Sequence, residues 1–243
     1  MHQLAFTKLL NRLFAGPVDA LLQLFGIHVK NPAQPIPDHV SMQVLVLLLL
    51  TALFLIVRSR LSVESPGAMQ HIAEGIHGFI GNLAHEVIGH GYEKYQAYLV
   101  TLGIFILVCN LIGLVPGLES PTAVPVVPLG CALVTWFYYH YQGMRANGGW
   151  GYIKHFIGPV WWLGPLMFPI EVFSHMARVL SLTIRLFANM FAGEMVTLVF
   201  FSLIPIGIPI IFEGLHVGVA FIQTYIFVLL ACVYLSEATA HEH

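Results

Sequence analysis

The chain has 243 residues, 58% of them hydrophobic and only 9% charged, with 10 Lys and Arg against 12 Asp and Glu and a net charge of −2. A soluble domain carries about 25% charged residues. This composition, with a mean hydropathy of +0.81, therefore excludes a disordered chain, a nucleic-acid binder and an ordinary water-soluble enzyme, and makes a bilayer the natural solvent.

Residues 1–39 read as an outer, interfacial N-terminal segment. Lys8 and Arg12 interrupt its apolar run, which argues against a secretory signal. Leu4, Phe6, Leu9, Leu10, Leu13 and Phe14 fit one face of a short helix lying on the membrane surface. The proline-rich stretch 31–37 reads as an extended lead into the first span. Residues 40–57, 97–115 and 124–141 contain no Asp, Glu, Lys or Arg. Each is close to the roughly 20 residues that a core of about 30 Å demands, and each is expected to cross upright. Arg58, Arg60, Lys94, Arg145 and Lys154 flank these spans at ends expected to be cytoplasmic, while the loops 116–125 and 205–213 lack Lys and Arg. Cys109, Cys131 and Cys232 stand inside apolar runs, with no metal spacing, and read as packing residues.

Residues 62–95 differ from their surroundings. They hold Glu64, Glu74, Glu86, Glu93, His71, His77, His85 and His90, and are broken up by glycines. An amphipathic segment on the cytoplasmic interface is expected. Its His85-Glu86-Val87-Ile88-Gly89-His90 run imitates a zinc protease signature. That chemistry needs histidines at i and i+4 on one helix face. Here they are at i and i+5, about 140° apart, so solvated histidines are expected. No internal repeat divides the chain, and residues 1–243 read as one membrane domain.

A fifth apolar region carries the charge. Within Pro169-Ile-Glu171-Val-Phe-Ser174-His175-Met-Ala-Arg178-Val-Leu-Ser181-Leu-Thr-Ile-Arg185-Leu-Phe-Ala188-Asn189-Met-Phe-Ala-Gly193-Glu194, ionisable groups sit among Leu, Phe, Val and Met. An Arg at the centre of a lipid-facing helix costs from about 3 to above 10 kcal/mol, so such residues face a cavity or a partner. Glu171, Arg178 and Arg185 are spaced by seven and align within about 20° per step. Ser174 falls within about 20° of Arg185 and Asn189 within about 40°, whereas Glu194 lies roughly opposite and about 13.5 Å further along. A helix over 169–204 would be about 54 Å long, more than the hydrocarbon thickness, and with no Pro or Gly between Pro169 and Gly193 it is expected to tilt strongly. The last span, 210–236, brings His216 and Gln223 onto one face, with Glu213 beside His216. Run antiparallel to the long helix, it would set Glu213 and His216 near Glu194, and Gln223 deeper, near Arg185.

The run Ser181-Leu-Thr-Ile-Arg185-Leu-Phe-Ala-Asn189-Met-Phe-Ala-Gly193-Glu194 resembles the signature of the F-type ATP synthase subunit a family, and Glu171, Ser174, His216, Gln223 and Val233-Tyr234-Leu235-Ser236-Glu237-Ala238 agree in position. The likeness runs from about residue 40 to the end. It implies an all-α integral membrane protein with about five crossing helices, amphipathic interfacial helices and a long, strongly tilted C-terminal helix pair. It also implies a proton path formed against a ring of c subunits, with the b subunits of the peripheral stalk and the F1 catalytic head as further partners. By that likeness Arg185 separates two half-channels. Glu194, His216 and Gln223 belong to the outer one and Glu171 and Ser174 to the inner one, Asn189 is a further residue of the proton path, and Glu213 and Arg178 are auxiliaries. No cofactor, no metal and no catalysis by the chain alone are implied, and a bacterial inner membrane is the expected location. Ala188 stands where Gly is usual, Arg178 where Lys is common, and residues 120–128 lack the Asn residues of the pattern. A secondary transporter is disfavoured by the absence of repeated, interrupted helices in both halves, and an intramembrane metalloprotease by the histidine spacing.

Overall fold

The computed structural model describes residues 4–24, 34–62, 67–115, 118–148, 152, 164–203 and 207–240. The expectations for Glu64 and Lys154, and those for 31–33, 116–117 and 204–206, lie outside these residues. The described chain is all-α. Its helices are α1 (Ala5–Leu24), α2 (Asp38–Ser59), α3 (Ala68–Ile88), α4 (Glu93–Ile112), α5 (Val126–Asn147), α6 (Gly164–Leu203) and α7 (Ile208–Thr239), with a single 3-10 turn at Pro121–Ala123.

Among the described residues, α2, α4, α6 and α7 are long and apolar enough to cross a membrane. The chain is a membrane protein. The expected span at 124–141 forms α5, but polar residues from Tyr138 to Asn147 dilute its second half and leave it outside that group. It is still packed against α6 and α7.

Helix α7 is the hub, in contact with α3, α4, α5 and α6. Leu99, Leu102 and Ile106 of α4, Cys131, Ala132 and Tyr139 of α5, Val179, Leu182, Leu186 and Met190 of α6, and Ala220, Phe227, Val228, Ala231 and Leu235 of α7 share one core. Helix α2 packs through Val46 and Leu50 against Cys109 and Ile112 and leaves its other face outward. All three cysteines are free and buried.

Helix α1 is longer than expected and runs through Pro17. Its polar Thr7 and Asn11 are buried against the start of α2 while Leu9, Leu13, Phe14, Leu21 and Leu24 point outward. Asn11 clips the backbone of Ile36 from both sides, accepting from its N–H at 3.0 Å and donating to its carbonyl at 3.1 Å.

In α3 the glycines at 75, 78 and 81 do not break the helix. The break comes at Gly89 and Gly91, whose φ values of +80° and +87° suit residues without a Cβ. His85 therefore lies in the last turn of α3 and His90 in the turn that follows the helix. Ile80, Leu83 and Ala84 are buried while His71, Glu74, His77, His85 and Glu86 are exposed, so the expected amphipathic segment is present.

Candidate functional site

The long helix α6 is unbroken over 40 residues, about 60 Å at 1.5 Å per residue. His175, Val179, Leu182, Thr183, Leu186 and Met190 form its buried stripe. On one flank of that stripe lie Glu171, Ser174, Arg178, Arg185 and Asn189, all half-buried. Glu194 lies on the other flank, about 180° around the axis from Arg185. The azimuthal split expected from the spacing therefore stands in the fold.

Arg185 donates from Nη2 to Ser181 Oγ at 3.4 Å. Among the described residues no carboxylate lies within ion-pair distance of it, since the two ion pairs are Glu171–His175 and Arg178–Glu237. It borders an outward face of small side chains, Ala177, Ser181, Ala188 and Ala192, all exposed. The methyl of Ala188 thus points away from the core.

Two contacts fix the register of α6 and α7. At one level Gly193 lies so close to the His216 ring that a Cβ there would come within 3.0 Å of Nε2. At the other, Arg178 is bonded to Glu237 and lies 4.8 Å from the centre of the Tyr234 ring. The helices are antiparallel, and Gln223 falls between those levels, as Arg185 does. No hydrogen bond joins Gln223 or Asn189 to Arg185 among the described residues.

Glu194, Glu213 and His216 come together around a cavity of about 510 Å³, also lined by Glu119, Thr197 and apolar side chains of α6 and α7. Glu213 belongs to α7, not to a loop. Pro209 sits in the first turn, where its missing N–H costs nothing and its fixed φ favours a helix. Glu194 accepts from the Ser120 N–H at 3.1 Å. No hydrogen bond or ion pair joins it directly to His216 among the described residues, so the two share a cavity rather than a contact. Behind Ser120 runs a buried polar chain. Its hydroxyl bonds the Cys109 carbonyl at 2.9 Å and Thr122 at 2.7 Å, and Thr122 donates to Asn110 at 2.7 Å. Among the described residues Asn110 Nδ2, Thr197 Oγ1 and His216 Nε2 are buried without a protein partner, and Thr197 and His216 line this cavity. Each such group costs about 1–3 kcal/mol unless water satisfies it, which favours a wet cavity. Outside the helices, burial and the nearby Asp38 carboxylate raise Glu119 above the usual carboxylate range, with His39 opposing.

At the opposite end of α6, Glu171 pairs with His175 at 3.2 Å. His175 Nδ1 is 2.7 Å from Tyr139 Oη, and His140 Nδ1 is 2.7 Å from Tyr152 Oη. Glu171, Arg178, Tyr234 and Glu237 close this cluster. Ser174 lies one residue along, half-buried on the flank of Arg185. Among the described residues no group of three His, Cys, Asp or Glu is placed to hold a metal ion.

The spacing argument did not single out Glu119, Asn110, His175 and Tyr139. Glu119 was readable as the one acid between the second and third spans, and His175 as the i+4 neighbour of Glu171. Asn110 and Tyr139 carried no local signal, because only the packing of α4 and α5 brings them in.

The ATP synthase A chain family matches residues 40–236. The chain is 60% identical to ATP synthase subunit a of Koribacter versatilis over 242 residues, covering 100% of this chain and 99% of that one. It is 51% identical to ATP synthase subunit a of Solibacter usitatus over 233 residues, 96% and 99% of the two chains. It is 37% identical to ATP synthase subunit a 3 of Pelobacter propionicus over 243 residues, the whole of both.

Proposed function

The chain belongs to the ATP synthase A chain family, and on that premise we propose that it carries protons across the membrane against a rotating ring of c subunits. In this reading Arg185 separates two half-channels. Glu194, Glu213, His216, Asn189 and Gln223 serve the outer one, and Glu171 and Ser174, with Arg178 beside them, the inner one. The chain is not catalytic alone. It couples the proton gradient to the F1 head through the complex, held by the b subunits of the stalk, in the inner membrane of a bacterium. It crosses five times, α5 included, with α3 on the cytoplasmic interface and α1 on the outer one.

One observation carries the reading. Among the described residues Arg185 has no carboxylate partner, and it stands beside an outward face of small side chains, with an acidic cavity on the far flank of the same helix. An arginine stays charged at any working pH. A fixed cation repels protons that would pass directly between two aqueous paths, and it favours the ionised form of a carboxylate brought against it. A protonated ring site arriving at Arg185 therefore loses its proton to one path, and a fresh site must turn round to the other. The face of Ala177, Ser181, Ala188 and Ala192 allows a partner helix to approach closely. The membrane potential supplies about 2.3 kcal/mol per charge per 100 mV.

The test is Arg185→Ala in the complex in sealed vesicles. ATP-driven acidification is expected to vanish while the detached head still hydrolyses ATP. Arg185→Lys is expected to restore little, since an ammonium is a point charge without the planar spread of a guanidinium. Pumping by Arg185→Ala at the wild-type rate would overturn the proposal.

A further inference from the structure

His175 is buried, 8% exposed, between α5 and α6. Both of its nitrogens are engaged, Nε2 with Glu171 Oε1 at 3.2 Å and Nδ1 with Tyr139 Oη at 2.7 Å. Its ring centre is 4.7 Å from that of His140, which continues to Tyr152. Among the described residues the other titratable and charged groups around it are Arg178 on its own helix and Tyr234 and Glu237 on α7. A hydroxyl both donates and accepts, so Tyr139 satisfies Nδ1 whether or not that nitrogen carries hydrogen. Glu171 likewise accepts from Nε2–H as a carboxylate and donates to a bare Nε2 as a carboxyl. The imidazole therefore changes protonation without turning. A histidine with a packing role alone needs a partner set that suits one form; this one has a set that suits each form.

We propose that His175 is a proton-exchange residue at the mouth of the path that Glu171 serves, an inference that rests on the half-channel reading above. In the loading step a hydronium in the path protonates the Glu171 carboxylate and leaves as water. The new carboxyl O–H passes its proton to His175 Nε2. The carboxylate is restored, and the imidazolium is held by Nδ1–H on Tyr139 Oη. Unloading is the reverse. Hydronium is scarce near neutral pH, and an imidazole accepts a proton on one nitrogen while the other stays hydrogen-bonded. The pair thus keeps an exchangeable proton where the ring exchanges with the cytoplasm. Tyr139 is a positioning residue that acts through His175.

The experiment uses the whole complex in sealed vesicles, reading ATP-driven pumping and, after removal of the head, passive proton conductance. His175→Gln keeps a side-chain amide between Glu171 and Tyr139 but binds no proton. Its conductance is expected to fall about tenfold. That is less than the 10²–10⁴ typical of a positioned acid–base group, since Glu171 and water remain as a slower route. The deficit is expected to widen as the pH on the Glu171 side rises and hydronium in the path becomes scarcer. His175→Ala, with a space left by the ring, is expected to regain part of its flux when free imidazole is added on that side. Wild-type conductance in His175→Gln at every pH would overturn the proposal. So would a deficit that is constant with pH and untouched by imidazole. Arg185→Ala run in parallel separates the two claims: undiminished coupling there removes the half-channel reading itself, whereas loss of coupling there with silent His175 variants removes only the exchange role.

Discussion

Gly193→Ala isolates the contact that sets α6 against α7. A Cβ at 193 would lie 3.0 Å from His216 Nε2, 3.1 Å from Cε1 and 3.2 Å from Cδ2, against 3.4–4 Å for an ordinary contact. The methyl meets the edge of a buried ring, so the two helices or the imidazole must give by a few tenths of an ångström. Overpacking of this kind costs about 1–3 kcal/mol. Opposing it, Ala is better than Gly inside a helix by about 1 kcal/mol. The net is a loss of about 0–2 kcal/mol. In a His216→Ala background the ring is gone and only the helical gain remains, so the same substitution becomes stabilising by about 1 kcal/mol. Coupling between the sites is then about 1–3 kcal/mol, the whole of the steric cost. The buried thiols of Cys109, Cys131 and Cys232 supply the assay, since each becomes reactive to a maleimide dye only as the chain opens on heating in detergent. In a chain of this size 1 kcal/mol corresponds to about 2–4 °C. Gly193→Ala is expected to lower the midpoint with His216 present and raise it without. Equal shifts of one sign in both backgrounds would refute the close approach.

Asn11→Ala leaves the N–H and carbonyl of Ile36 without their partner, at about 1–3 kcal/mol for each buried group. Hydrogen exchange in α1 is expected to speed up markedly while α4 to α7 are unchanged, and unchanged exchange in α1 would show that the clip does not hold it. Glu119 is raised above an ordinary carboxylate, chiefly by burial, so the folded chain binds more protons there than the unfolded one and stability falls as pH rises above the ordinary carboxylate value. Glu119→Gln is expected to stabilise at pH 7 but not at about pH 4, where the native carboxyl is protonated as well. A gain of equal size at both pH values would assign the effect to packing instead.

What could be read in advance followed from regularity. Helix α6 keeps its turn from Gly164 to Leu203, through Pro169 and Gly193, so counting residues at about 100° each placed Arg185, Asn189 and Glu194 on their proper flanks. The last span was equally regular and brought Glu213 and His216 to the cavity of Glu194. Direct contact of Glu194 with His216 was beyond such counting, because it depends on interhelical distance, and the Ser120 backbone takes the carboxylate instead. Glu119 and Thr122 belong to the turn between α4 and α5, where no period exists to extrapolate, and Asn110, near the end of α4, is engaged only through that turn. Tyr139 and His140 sit on a helix whose apolar face alone was legible, and their partners lie 36 and 12 residues away.

A single unbroken helix explains why two polar regions remain separate. Glu171 and Arg185 are 14 residues apart, about 21 Å, and Glu194 is another 13.5 Å beyond Arg185 on the opposite flank. Between them the core stripe of Val179, Leu182, Leu186 and Met190 is closed by apolar packing from α5 and α7, and the Thr183 hydroxyl is turned back onto the Val179 carbonyl, so among the described residues no polar chain runs along the inner side of the helix from one region to the other. On the proposed reading, a proton that enters by Glu194 must reach the outward face at Arg185 and leave the chain altogether before it can arrive at Glu171. The helix continues unbroken through Gly193, where the His216 ring packs so closely that a Cβ would come within 3.0 Å of Nε2. The glycine is thus what allows α6 its close approach to α7 at the level where the two polar regions are kept apart.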